Sequence, residues 1–386
     1  MKQVIQNERG MALAIAIVAL VIVGALVAGA FFAGTQEQRI GENQRFSQQA
    51  FGVAEEGVNE VVRGWDPQAY NSRGIYGTDS IEEADAVAPT YTGRYGGYVY
   101  KLNDDLYMID LTGRDSTSMK TGRRGTGGRA RIGLLTRIDP LKIDIRASLT
   151  TARSDVISGN ASINGIDQIP PGWTTCGPVD STKAGVRTDA GTTVSQSGSS
   201  MIIGNPPVMI DSSVTDTTFT KYGNTSYSDL AQRATITLPG QNFSNNIAPV
   251  VTNGQCDKTV LTNWGDGMNP TQPCGSFFPI VHLTGDANIN GQQGQGILLV
   301  DGSLTVQGGF QWYGITIIRG TLKTEGGGST DAHFWGATMV QDSVLVGTNQ
   351  ITGHANINYS KCAILKSLRS TGLPVMMRSR SWVQLF

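Results

Sequence analysis

The chain of 386 residues has little of what usually marks a catalytic or nucleic-acid-binding protein. Its 30 Lys and Arg nearly balance its 31 Asp and Glu, so no electrostatic attraction to nucleic acid is expected. It has 3 histidines and no CxxC pair, which argues against a zinc site. Phosphate loops, dinucleotide fingerprints, EF-hand loops and GxSxG elbows do not occur. We therefore expect no cofactor, no metal and no enzymatic activity.

Charge is also missing from one long stretch near the N-terminus, residues 11–34, which reads MALAIAIVALVIVGALVAGAFFAG. As a helix it would be about 36 Å long, enough to cross a hydrocarbon core of about 30 Å. The pattern beyond it remains helical, and spacings of three and four predict an apolar stripe that packs on a folded head. The sequence therefore predicts one long helix over residues 11–65. Its expected membrane and assembly positions are Leu13, Ile15, Ile17, Leu20, Val23 and Leu26, and its expected head-packing positions are Phe51, Val58, Val61 and Trp65.

Two ordinary interpretations compete for this stretch. A secretory signal peptide could be cut near Ala28-Gly29-Ala30, but such peptides usually have only about 7–15 apolar residues. The second interpretation is an ordinary transmembrane anchor, which requires no feature of the sequence beyond the apolar run itself. Lys2 and Arg9 precede the span, so the positive-inside rule places the N-terminus in the cytoplasm and the rest of the chain beyond the membrane.

A third interpretation comes from the residues around the start of the span. The segment Glu8-Arg9-Gly10-Met11-Ala12-Leu13, with QEQRIGEN at 36–43 and QQAFGVAEEG at 48–57, resembles the prepilin signal of type IV pilins and pseudopilins. It looks most like PilX-type minor pilins, over roughly the first sixty residues. The resemblance implies that residues 1–10 are a leader, which a prepilin peptidase removes after Gly10 to leave Met11 as the mature N-terminus. It also implies a bacterial inner membrane, an assembly platform there, other pilins or pseudopilins as partners, and a final place in a pilus, the periplasm or the cell surface.

One position departs from that family. Major pilins carry a glutamate five residues into the mature chain, and Ile15 stands there instead. The glutamate is thought to neutralise the N-terminus of a neighbouring subunit within the apolar filament core, where an unpaired charge is costly. Its absence predicts a place at the filament tip or base rather than in the bulk.

The head is predicted to be mainly β, which makes the whole chain α+β. Residues 66–140 are expected to form a surface loop up to about 89, then a hairpin from 98–102 and 106–111, then a strand at 130–138. These antiparallel strands would pack against the outer half of the long helix.

Residues 141–364 repeat themselves, which predicts a β-solenoid in preference to a β-sandwich. The motif at 158–165, SGNASING, returns at 284–291 and 352–358, and GILLVDGSL at 296–304 returns in looser form 18 and then 22 residues later. The stretch of about 168–279 is either an irregular insertion or a set of degenerate rungs. Residues 365–386 are expected to cap the coil or to lie across its end. The candidates for inward-facing side chains are Ile297, Leu299, Leu304, Ile315, Ile317 and Met339.

Four cysteines in an exported segment suggest two disulfides, and three connectivities are open. Cys256 and Cys274 enclose a loop rich in Gly, Asn and Pro with little core of its own, so pairing them would stabilise it. Cys176 would then be left to pair with Cys362.

The remaining candidates concern a ligand. Four aromatic residues recur at matching places in two repeats, where they form either a platform for sugar rings or a buried stack: Trp312, Tyr313, Phe334 and Trp335. Asp286, Asp301 and Asp342 recur beside the repeats and are read as turn residues, although glycoside cleavage would need two such carboxylates. The sequence thus predicts a minor pilin-like structural subunit whose head is a candidate for binding a polysaccharide or host surface. The alternative is a membrane-anchored solenoid that binds or cleaves polysaccharides.

Overall fold

The structure is a computed structural model that describes residues 9–86, 93–115, 128–174, 176–223, 225–244, 246–325, 332–341, 349–351, 355–377 and 381–385. The chain begins with one continuous helix, α1 (Arg9–Arg63), and a one-turn helix, α2 (Pro67–Tyr70), whose N-terminus is capped by the Asp66 carboxylate. Gly10 and Met11 belong to α1, but residues 1–8 and the side chains of 9–11 lie outside what the structure describes. The predicted continuity between the apolar and amphipathic halves is confirmed.

An antiparallel sheet follows, with strands β1 (Thr78–Asp85), β2 (Gly93–Lys101), β3 (Leu106–Asp115) and β4 (Arg129–Asp139) in that order. The predicted hairpin is β2–β3, and the predicted third strand is β4. The prediction of a loop over 66–89 is wrong, since α2 and β1 both lie there. β1 is an edge strand whose side chains are mostly exposed, so its sequence is as polar as that of a loop.

The outer half of α1 lies across one face of this sheet. Its buried residues follow spacings of three and four and share a core with β2, β3 and β4: Ala50, Val53, Ala54, Val58, Val61 and Trp65. Val58, Val61 and Trp65 are therefore placed as predicted, but Phe51 is not, because its side chain is 37% exposed. Phe51 lies roughly 60° around the helix from Ala54, at the margin of the buried stripe.

The next part of the chain, which we call the parallel-strand domain, runs from 147 to 359. Its strands are β5 (Ala147–Thr151), β6 (Asp155–Ile157), β7 (Ser162–Asn164), β8 (Ala184–Thr188), β9 (Val194–Gln196), β10 (Met201–Ile203), β11 (Val208–Ile210), β12 (Lys221–Tyr222), β13 (Thr225–Ser226), β14 (Ile236–Pro239), β15 (Asn242–Ser244), β16 (Val251–Thr252), β17 (Gln255–Cys256), β18 (Ile280–Thr284), β19 (Ala287–Asn290), β20 (Gln293–Val300), β21 (Leu304–Gln307), β22 (Gln311–Ile318), β23 (Leu322–Glu325), β24 (Ala332–Val340), β25 (Asn349–Ile351) and β26 (Ala355–Tyr359). Its short helices are α3 (Asp216–Thr220) and α4 (Tyr227–Gln232).

Two parallel sheets build this domain, and successive repeats of the sequence pair side by side. In the first sheet β14, β18, β20, β22, β24 and β26 are neighbours in that order, and in the second sheet β15, β19, β21, β23, β25, β6 and β9. Gly296 lies opposite Gly314, which lies opposite Gly336, and all three have positive φ. A Cβ on Gly336 would collide with the carbonyl oxygen of Gly314. This column therefore requires glycine in every repeat.

The order of strands in space differs from their order in the chain. β5 and β7, near the start of the domain, pair with β24 and β26, near its end. The first copy of the eight-residue motif therefore lies beside the third, with Ile163 opposite Ile357. β8 to β11 extend the stack beyond β5 to β7. Much of the stretch at 168–279 is thus made of further parallel strands, with irregular segments between them.

Two separate cores lie on the two faces of the first sheet. Between the sheets are Leu298, Val300 and the predicted Leu304. On the opposite face, under α3, α4 and the C-terminal helix, lies the second core, which holds the other predicted inward-facing residues: Ile297, Leu299, Ile315, Ile317 and Met339. These five are buried, but the expectation that they face the interior of the coil is wrong. A strand covered on both faces reads as a continuous apolar run, so its sequence does not show which side is which.

The C-terminal segment does not cap the coil. Helix α5 (Lys361–Arg369) covers the first sheet, and strands β27 (Leu373–Met376) and β28 (Trp382–Leu385) pair antiparallel with β4. The chain therefore returns to the sheet from which it left for the parallel-strand domain. Residues 378–380 and 386 lie outside the described part.

The contact between α1 and the antiparallel sheet predicts a matched pair of glycine variants. A Cβ at Gly57 would lie 2.6 Å from Cδ2 of Tyr95, whose hydroxyl donates a hydrogen bond to Glu60 of the same helix. We expect Gly57→Ala to lower the free energy of unfolding by about 1–3 kcal/mol through overpacking. Thermal unfolding of the full chain in nanodiscs measures it.

The control is Gly41→Ala on the same helix, where a Cβ would have no neighbour within 4 Å. It should leave stability unchanged or raise it by up to about 1 kcal/mol through helix propensity. Equal effects of the two changes on stability would contradict the packing of Gly57 of α1 against Tyr95 of β2.

Candidate functional site

The first half of α1 is an apolar surface that the described residues of the rest of the chain leave uncovered. A window of this helix with a mean hydropathy of 2.9 has none of its residues buried, and it is long and apolar enough to cross a membrane. The exposed fractions of Leu13, Ile15, Leu20 and Leu26 run from 65% to 75%, and Ile17 and Val23 are similarly exposed. Such a surface is stable in water only if lipid or other apolar helices cover it.

The second half of α1 is held to the head at close range. Small residues permit this approach, because a Cβ on Gly113 of β3 would lie 2.5 Å from the backbone nitrogen of Ala54. Two residues beyond the end of the helix, the ring of Trp65 packs edge-on against Tyr107 of β3 with centroids 5.2 Å apart. The membrane-length half and the head are therefore joined through one continuous helix rather than through a linker.

A polar junction connects this antiparallel unit to the parallel-strand domain. Trp65 Nε1 donates to Asn71 Oδ1 at 3.0 Å, and Asn71 Nδ2 donates to the carbonyl oxygens of Arg369 and Gly372 beyond α5. Lys101 Nζ donates to the Asn71 carbonyl at 2.7 Å, and burial lowers the pKa of that amine. The sequence carries no signal for this junction, because its members are up to 301 residues apart.

Both disulfides have the pairing that the loop composition favours. Cys256 pairs with Cys274 across 18 residues, and Cys176 pairs with Cys362 across 186. Cys362 is in α5, and Cys176 follows β7, so this bond lies beside the place where early and late strands meet. Trp173 and Tyr313 stack nearby with ring centroids 5.6 Å apart.

The aromatic residues proposed as a ligand platform do not form one. Trp312 and Phe334 are 0% and 2% exposed and fill the space between the two sheets. Tyr313 is buried, and Trp335 is half-buried against the cluster around Trp173. Alternate residues of one strand point to opposite faces, and both faces of this sheet are covered. The interpretation as an exposed surface is wrong, and the four residues belong to the cores.

The candidate carboxylates have different surroundings. Asp286 Oδ1 accepts a hydrogen bond from the Ser303 amide at 2.7 Å, which ties one turn to the next and agrees with its interpretation as a turn residue. Asp301 accepts from the Tyr227 hydroxyl at 3.0 Å and lies 3.0 Å from His282 Nε2. Asp342 and His354 lie outside the described residues. Within the described residues no group of three His, Cys, Asp or Glu could hold a metal ion.

A shallow polar cleft of about 360 Å³ lies on the outer face of the second sheet, with Asn242, Asp286, Asn288, Ser303 and Thr305 among its lining residues. Asn288 lies opposite Asn242 on one side and Thr305 on the other. Its Oδ1 atom is buried and has no hydrogen-bond partner among the residues described. The recurrence of asparagine in the repeats is visible in the sequence, but the cleft that these residues line could not be predicted from it.

Comparison with known proteins adds little. No protein-family model matches the chain, and no curated protein matches it. Among solved structures, the competence-associated pilin ComZ from Thermus thermophilus aligns over 88% of this chain and 98% of its own, at 12% identity. The TM-score is 0.25, which is too low to carry an argument about fold or function.

The two disulfides predict different losses of stability. In the chain-entropy description the bond that closes 186 residues contributes about 5 kcal/mol and the bond that closes 18 about 3 kcal/mol. We expect the double variant Cys176→Ser, Cys362→Ser to unfold at a lower denaturant concentration than Cys256→Ser, Cys274→Ser. Guanidinium unfolding of the oxidised full chain measures both. Equal midpoints would show that strain or residual structure outweighs loop length.

Proposed function

We propose that the chain is a minor pilin-like structural subunit of a bacterial type IV pilus or a related secretion pseudopilus. The observation that supports it is α1, a single helix whose first half is apolar and uncovered and whose second half is seated on the antiparallel sheet. In this proposal residues 11–34 hold the precursor in the inner membrane, and the same surface packs against other subunits after assembly. The PilX-like class is part of the proposal and depends on the leader and helix sequences.

Assembly in this proposal proceeds by exchange of one apolar environment for another. A peptidase cuts after Gly10 on the cytoplasmic side while the helix is still in the bilayer. An assembly platform then moves the subunit into a filament, where apolar helices of neighbouring pilins replace the lipid. Ile15 offers no carboxylate to pair with a neighbour's N-terminus, so we place the subunit at the tip or base of the filament.

The head would face outward from the filament. We propose that its parallel-strand domain is a β-solenoid, with α5 lying over one face of its first sheet. Adhesion or priming of assembly is the role that suits a large β domain carried on such a stalk. The second candidate function, polysaccharide binding or cleavage by a membrane-anchored protein, is supported by the polar cleft at Asn288.

Processing gives the direct test. Co-expressed with a prepilin peptidase, the wild-type chain should lose its first ten residues, so that N-terminal sequencing begins at Met11. Gly10→Ala should leave the precursor uncut, because the peptidase needs glycine at that place. Gly24→Ala, where a Cβ has no neighbour within 4 Å, is the matched control and should be cut normally. A mature chain that starts near Phe31, or one that keeps Met1 in its native envelope, would contradict the proposal.

The second candidate is tested separately on a polysaccharide panel. Binding that Asn288→Ala abolishes, and that Gln384→Ala on the exposed edge of the antiparallel sheet does not, would favour a carbohydrate-binding head. Cleavage lost in Asp301→Asn, with circular dichroism unchanged, would favour an enzyme. A wild-type chain that neither binds nor cleaves any polysaccharide of the panel would contradict the second candidate.

A further inference from the structure

A cavity of about 1000 Å³ lies at the junction between the antiparallel unit and the parallel-strand domain. Its wall is apolar on several sides, with contributions from the end of α1, the loop after β4, α4 and β18: Trp65, Leu141, Tyr222, Leu230 and Ile280. Leu373 and Val375 of β27 line it too and are 37% and 50% exposed. An apolar cavity of this size is at the upper end of the range for small-molecule sites.

The charged groups that line the cavity are unevenly paired. Asp139 is paired with Lys142 at 3.3 Å, and the Asp66 carboxylate accepts from the Gln68 amide at 2.8 Å. Lys258 Nζ donates to the Gln68 carbonyl, and burial lowers the pKa of this amine. The lining therefore carries three cationic side chains, Lys142, Arg233 and Lys258, against two carboxylates, Asp66 and Asp139.

Arg233 lines the same cavity, and its charge adds to the hydrogen bonds from Ser226 in lowering the pKa of the nearby Asp229 carboxylate. No ion pair or side-chain hydrogen bond reaches its guanidinium within the described part of the chain. The nearest acidic residue in sequence, Asp229, is held by Ser226 through its amide at 2.8 Å and its hydroxyl at 2.7 Å. Arg233 is also exposed, so its planar donors are available to a ligand.

We propose that this cavity binds a free single-chain amphiphile with a carboxylate head, that is, a long-chain fatty acid. The hydrocarbon chain would lie between Trp65, Leu230 and Ile280, where it is removed from water, and the carboxylate would accept hydrogen bonds from Arg233 and Lys258. Guanidinium and carboxylate match in geometry, and a charged hydrogen bond of this kind is strong.

The position of the cavity favours a free amphiphile over a lipid that remains in the bilayer. The helix continues from the end of the apolar span at Gly34 to Arg63, which is 63 − 34 = 29 positions and at about 1.5 Å each roughly 44 Å, and Trp65 lies just beyond it. A phospholipid held by its acyl chains in the membrane does not reach that far, whereas a fatty acid exchanges through water as a monomer. The inference does not depend on filament assembly.

Photo-crosslinking of the full chain in phosphatidylcholine nanodiscs tests the site. The probe is a long-chain fatty acid with a diazirine group on the chain, and adducts are mapped by peptide mass spectrometry. Adducts on residues 11–34 report probe dissolved in the bilayer and provide an internal reference. We expect further adducts within 139–142, 222–235 and 370–375, at the walls of the cavity.

Two variants and a control decide the outcome. Arg233→Gln should lower the cavity adducts about tenfold relative to the 11–34 adducts, which is the loss expected for one charged hydrogen bond. Thr225→Trp should fill the cavity and abolish them. Arg153→Gln, an exposed arginine elsewhere in the head, should change nothing.

Three results would overturn the proposal. Adducts confined to residues 11–34 would show that the cavity is empty of this ligand. Cavity adducts that persist unchanged in Arg233→Gln would show that the head group is not recognised there. Equal labelling of the cavity by a diazirine-bearing phosphatidylglycerol would identify a membrane lipid as the occupant instead.

Discussion

The structure depends on one constraint: the apolar half of α1, which the described residues leave uncovered, continues without a break into a segment whose stripe from Ala50 to Val61 is buried against the head. The uncovered half needs lipid or other apolar helices, since exposing it to water is unfavourable in proportion to its area. The buried stripe links that requirement to the head, because small residues such as Ala54 and Gly57 let the helix approach β3 and β2 closely. The apolar half and the head are therefore connected through one continuous helix.

Much of this arrangement could be predicted from the sequence where the signal is periodic. The uncharged run, the spacing of Val58, Val61 and Trp65, and the β2–β3 hairpin were all predictable from local patterns. The repeats were predictable too, because Gly296, Gly314 and Gly336 each need a backbone conformation that side chains disfavour. The prediction that Phe51 packs on the head was wrong, because the periodicity shows which face of the helix is apolar but not how wide the buried stripe on that face is.

Other features have no local signature. The burial of Ile297 and Leu299 on the outer face of the first sheet depends on α3, α4 and α5, which come from distant parts of the chain. β27 and β28 were missed because a strand that pairs with β4 across some 240 residues looks like any short apolar segment. The cavity beside Arg233 is likewise a product of how two units meet, and neither unit predicts it alone.

The pairing of β5 and β7 with β24 and β26 has a consequence for the order of events during synthesis of the chain. β5 and β7 meet β8 and β10 early, but they gain β24 and β26 only after more than 170 further residues have been made, and β4 gains β27 and β28 later still. The head therefore cannot be completed piece by piece as it emerges. Until the later strands arrive, β4, β5 and β7 each keep an open edge, and an open strand edge is a template for pairing with another molecule.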